Sequence, residues 1–101
     1  MARSVDYNKR LIKHLKDPKE AAAYLNAILA EGDSKLFLKA LGKVAEAKGG
    51  VSQLAAKTKV SRVGLYKVFS EQGNPEVKTI EGILDAFKLR ITVTPQSAGA
   101  R

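Results

Sequence analysis

The chain contains no cysteine and a single histidine, so disulfides and thiolate chemistry are excluded and a zinc site made of protein ligands has almost nothing to draw on. No segment approaches the roughly 20 consecutive apolar residues that span a bilayer, and Met1-Ala2-Arg3-Ser4-Val5-Asp6 lacks the apolar run of a signal peptide. A cytoplasmic protein off the membrane is expected. No glycine-rich phosphate loop and no paired acid and base surround His14, so an enzyme is not expected; nor is any cofactor or metal, and His14 reads as a surface residue. Internal repeats and low-complexity stretches are also absent.

Acidic residues are scarce. Ten Asp and Glu against eighteen Lys and Arg leave a net charge of +8, which favours a polyanionic partner. The charge is also segregated. Residues 51–70 carry Lys57, Lys59, Arg62 and Lys67 with no acid, whereas residues 17–34 carry Asp17, Glu20, Glu31 and Asp33 against Lys19 alone. One basic surface is implied. With 101 residues, 45% hydrophobic and 28% charged, the chain has the length and balance of one soluble globular domain.

Caps and breakers divide that domain. Tyr7, Leu11, Ile12 and Leu15 fall on one side of a basic helix within an N-terminal segment, 1–16, and proline at position 18 requires it to end before Asp17. Asp17-Pro18-Lys19-Glu20 offers an N-cap, proline at the first helical position and a glutamate to close a capping box. The helix that follows to about Ala30 turns Ala21, Leu25, Ile28 and Leu29 inward and stops at Gly32. Asp33 caps the next, from Ser34 to about Lys48, whose inner face is Phe37, Ala40, Leu41, Val44 and Ala45 and whose end is Gly49-Gly50. Gly73-Asn74-Pro75 is a turn, and Ile80, Ile83, Leu84 and Phe87 mark a last helix.

The period then changes to two. Leu89, Ile91 and Val93 alternate with Arg90, Thr92 and Thr94, which predicts a short strand before Pro95. With no second strand in the chain, its partner is expected to be the same strand of another copy, giving a homodimer through residues 89–94. The predicted fold is an all-α bundle of about five helices with that one C-terminal strand, a domain over 17–95 and a flexible tail at 96–101.

Residues 51–70 have the pattern of a helix-turn-helix. Leu54, Val60, Leu65 and Val68 fill the wedge between two short helices, and Ala55 is the small residue where they cross. Ser61 caps the second helix. A capped helix that begins with polar residues can enter the major groove of double-stranded DNA. Arg62 is then placed for bidentate contact to guanine and Val63 for a thymine methyl, with Lys67 further along the same face. Ser61, Asn74 and Lys78 suit phosphates, while Tyr66 is open between a phosphate contact and core packing with its hydroxyl in solvent.

In the strings Asp17-Pro18-Lys19-Glu20-Ala21-Ala22-Ala23-Tyr24-Leu25-Asn26, Glu31-Gly32-Asp33, Phe37-Leu38 and Gly49-Gly50-Val51-Ser52 the sequence resembles the addiction-module antidote proteins. These are helix-turn-helix antitoxins related to the HigA-like and phage-repressor groups. The resemblance runs on through Ser61-Arg62, Leu65-Tyr66, Gly73-Asn74-Pro75 and Leu89-Arg90-Ile91-Thr92-Val93, about residues 17–95 in all. It implies a lambda-repressor-like fold, repression of the protein's own operon at an inverted repeat, and a small RelE-like toxin as partner. The helices before the motif and the segment Tyr7 to Lys16 are candidates for the toxin-binding surface, with ordinary packing as the other reading.

Two departures stand out. Val51 occupies the position where phage repressors carry a phosphate-bracing glutamine, leaving Ser52 and Gln53 as the polar residues at that helix start. Lys59 replaces the usual turn glycine and must either adopt a left-handed conformation, at about 1 kcal/mol, or accept a different turn. The alternative function is a stand-alone phage-type repressor with no toxin partner.

Overall fold

The computed structural model describes residues 2–96, with side chains from Tyr7 onward. Its helices are α1 (Ala2–Leu15), α2 (Pro18–Ala30), α3 (Ser34–Ala47), α4 (Val51–Lys57), α5 (Arg62–Val68) and α6 (Val77–Ala86). The all-helical class holds, with six helices in place of about five and no strand among the described residues. Apart from Gln96, the expected tail lies outside the described residues.

Helix starts follow the side chains that cap them. Asp17 Oδ1 accepts from the Lys19 N–H at 3.0 Å, Asp33 Oδ1 from Leu36 at 3.0 Å and Ser61 Oγ from Gly64 at 3.0 Å. The capping box expected at Glu20 does not close, because the Asp17 N–H donates instead to the His14 carbonyl at 3.2 Å. Only Lys16 and Asp17 separate α1 from α2, so that N–H serves the end of one helix rather than the start of the next. Lys48 ties the same corner to α3 by donating from Nζ to the Lys16 carbonyl at 2.8 Å.

Helix α3 is the centre of the core. Its expected inner face is buried throughout, and Leu38 and Ala47 join it. Helices α1 and α2 pack on one side of it and on each other; α4 packs on it in turn and carries α5 and α6. Leu15, Ala21, Leu25, Leu54, Leu65, Val68, Ile83, Leu84 and Phe87 complete the cluster. Leu29, expected inside, is 51% exposed: α2 presents a narrower inner stripe, and Leu29 lies at the rim of a groove toward the C-terminal segment.

The strand expected at 89–94 is not formed. Lys88 at φ 65° ends α6, the Leu89 N–H returns to the Leu84 carbonyl at 2.8 Å, and residues 90–96 exchange no backbone hydrogen bond with any described residue. A strand is defined by its ladder, and a single chain with one such segment supplies no second rail.

The loop from α5 to α6 leaves no room for a side chain at Gly73. A Cβ there would overlap the carbonyl oxygen of Val68, which is backbone and cannot step aside. Gly73→Ala is therefore expected to lower stability by about 2 kcal/mol or more, read as a shifted urea midpoint at unchanged slope. A variant with the wild-type midpoint would show that the loop can move away.

Candidate nucleic-acid interface

Helix α5 has seven residues, too few to persist alone in water, so packing has to hold it in place. Leu65 and Val68 are buried against Leu54 and the α3 core, with Val60 half-buried beside them. Arg62, Val63, Tyr66 and Lys67, at spacings of one and four, are thereby turned outward together. Val63 is 79% exposed and Tyr66 56%, so the tyrosine ring is a surface group rather than part of the core. Arg62, Lys67, Lys57, Lys59 and Lys78 form no ion pair among the described residues.

The turn before α5 settles the question of Lys59. Its φ is not positive; instead Thr58 is extended at φ −114° and ψ 178°, and its Oγ1 accepts from the Val60 N–H at 3.2 Å. The threonine hydroxyl thus supplies the local bond that makes a left-handed residue unnecessary. Gly64 has its own reason within α5: a Cβ there would press on Val60 Cγ1 and on the capping Oγ of Ser61. Ser61 keeps its hydroxyl hydrogen for an outside acceptor while the oxygen caps.

The remaining residues singled out from the sequence lie on other elements or in the loop after α5. Ser52 is exposed in the first turn of α4. Gln53 folds over Gly49 and shares a shallow depression with Lys48, Lys57 and Phe87, on the side of α4 that faces α3 and α6. Asn74 borders a depression shared with Ser34 and Lys35 at the start of α3, and Lys78 is exposed in the first turn of α6. The structure brings Arg62, Val63, Tyr66 and Lys67 together and leaves Gln53 on another side of the motif.

A clamp escaped the sequence reading. Lys39 Nζ reaches Glu71 Oε2 at 3.0 Å and Lys35 Nζ donates to the Glu71 carbonyl at 2.6 Å, fastening the loop after α5 to α3. Hydrogen bonding from Lys39, then the charges of Lys39 and Lys35, hold the Glu71 carboxyl below its ordinary value. Lys35 and Lys39 are one turn apart on α3, but nothing local ties them to a residue 32 positions away. Elsewhere, burial and the neighbouring Tyr7 raise the Tyr24 hydroxyl above its ordinary value. Among the described residues no three His, Cys, Asp or Glu side chains gather as a metal site, and no helix is long and apolar enough to cross a membrane.

A family model described as probable addiction module antidote protein matches residues 7–95. The chain belongs to that family. It is also 41% identical over 81 residues to an uncharacterized protein of Haemophilus influenzae (strain ATCC 51907 / DSM 11121 / KW20 / Rd), covering 80% of this chain and 82% of the relative. No solved structure matches it. The matched span runs from α1 through the C-terminal segment and so includes the capped α5 and its outward cations.

Two outcomes are expected of the local chemistry. Ser61→Ala should cost about 1 kcal/mol of stability, measured by denaturant unfolding. Lys39→Ala should return the Glu71 carboxyl toward 4.5, followed by NMR titration of its side chain. Because that carboxyl is depressed in the folded chain, the clamp stabilises above the ordinary glutamate range and is lost as pH falls through the lowered value. An unchanged Glu71 titration in the variant would remove Lys39 as the cause.

Proposed function

We propose that the protein is a sequence-specific DNA-binding antitoxin of a type II toxin-antitoxin module, repressing its own operon and neutralising a small RelE-like toxin. The observation that carries the DNA half is the outer face of α5, where an apolar residue and an aromatic ring stand in water between two unpaired cations. The major groove, about 12 Å wide, admits a helix and offers such a face guanine acceptors and thymine methyls together. Family membership supports the toxin half, since an antidote requires a poison to restrain.

In this reading α5 enters the groove by its capped end. Arg62 spans the O6 and N7 of a guanine, Val63 meets a thymine methyl, and Lys67 continues along the same edge. Ser52, Ser61, Asn74 and Lys78 take phosphates, and Tyr66 adds its hydroxyl to the backbone contacts. Gln53 contributes once its side chain leaves Gly49. Two copies joined through residues 89–94 place two such helices on an inverted repeat, with half-sites about 34 Å apart. Occupying the operator excludes transcription, and the protein works in the cytoplasm where its DNA is.

Arg62→Ala is expected to cost about 1 to 3 kcal/mol on the operator and to relax base preference, measured by binding to operator variants. Lys78→Ala should weaken binding to all duplexes alike and reduce the salt slope by about one unit. Equal losses on operator and random DNA for both variants would defeat the base-reading assignment. Co-purification with the product of the neighbouring reading frame tests the toxin half, and an antidote that never forms that complex is a plain repressor.

A further inference from the structure

The least satisfied part of the molecule lies far along the chain from α5. Residues 90–96 are exposed and none of their backbone N–H or C=O groups is paired within the described chain. Val93 is 93% exposed and Ile91 47%. Beside them runs a groove of about 300 Å³ whose apolar wall is Leu25, Leu29, Phe37, Leu84, Leu89 and Ile91, with Arg90 and Thr92 also along it. On its outer rim Glu81 and Asp85 of α6 flank Arg90.

Open backbone groups in a row, with apolar side chains at every second position, fit another extended strand. A second copy supplies one of identical pattern, and the local charge permits its approach. Lys88 and Arg90 are balanced by Glu81 and Asp85, so the overall excess of +8 is not concentrated here.

Resting on the dimer of the preceding reading, we propose that two copies pair antiparallel with Ile91 facing Ile91 across the two-fold axis, and that each groove receives Val93 of the partner. Chemistry favours this register: centring on Leu89 opposes Lys88 to Arg90, and centring on Val93 puts Pro95, with no N–H, opposite Ile91. Directly opposed residues share a face, so an apolar residue must oppose an apolar one, and a two-fold pair then has one residue opposite itself. Centring on Arg90 opposes two guanidinium groups, which is destabilising. Centring on Thr92 puts Pro95 opposite Leu89 and brings a residue with no N–H into the ladder. Centring on Ile91 opposes Leu89 to Val93 and Arg90 to Thr92, and leaves Pro95 outside. Since Leu89 lines the groove, the opposed Val93 enters at its mouth.

The absence of cysteine makes the test clean, because a single introduced thiol can only join copies. Under mild oxidation Ile91→Cys should give a covalent dimer on a non-reducing gel. Thr92→Cys should give little, because in this register its copies are diagonal neighbours about 7 to 8 Å apart, beyond disulfide reach. By sedimentation the wild-type protein should have the mass of two chains and Val93→Asp the mass of one. Val93 is exposed in the single chain, so circular dichroism of that variant should be unchanged. A monomeric wild type, a dimeric Val93→Asp or preferential cross-linking at Thr92 would each overturn the proposal. The DNA reading is judged separately: Val93→Asp should still bind a single half-site, and a wild type that dimerises but binds no duplex condemns that reading alone.

Discussion

Burial of α3 is the constraint on which the rest depends. Leu41 and Val44 are wholly inside, and α1, α2 and α4 each lie against this helix. The two helices of the motif have seven residues apiece, far below the length at which a helix persists alone in water. Their order is therefore borrowed. Leu54, Leu65 and Val68 dock into the cluster that α3 organises, and Phe69 lies on Gly42, where even a methyl group would come within 3.2 Å of the ring. Because the core holds the inner face of α5, its outer face is free to carry residues chosen for a partner.

Much of this was legible because short-range signals decide helix limits. Asp17, Asp33 and Ser61 cap as their positions suggest, Gly32 and Gly49-Gly50 stop α2 and α3 with positive φ, and the inner face of α3 is as the spacing requires. Arg62, Val63, Tyr66 and Lys67 share one outer face for the same reason, since Leu65 and Val68 fix the rotation of so short a helix.

What could not be read depends on groups outside the element concerned. Glu20 closes no capping box because the end of α1 engages the N–H it would have used. The Glu71 clamp spans 32 and 36 positions. Leu29 obeys the helical period yet lies outside, because nothing covers the end of α2 on that side. The alternation at 89–94 is a pattern of side chains, and side chains alone do not make a ladder. Membership of the antidote family narrows the class of function.

In the DNA-binding reading, the clamp on Glu71 also bears on how fast the protein meets its partner. Glu71 is the first carboxylate after 24 residues that contain none, and just beyond α5 Lys39 pairs with it while Lys35 holds its backbone carbonyl. An approaching polyanion then meets less repulsion from Glu71 at that end of the molecule than an unpaired carboxylate would give. Diffusional capture is steered by the field of the protein's charges and slows as salt screens it, so the rate of encounter is governed partly by residues that never touch the partner.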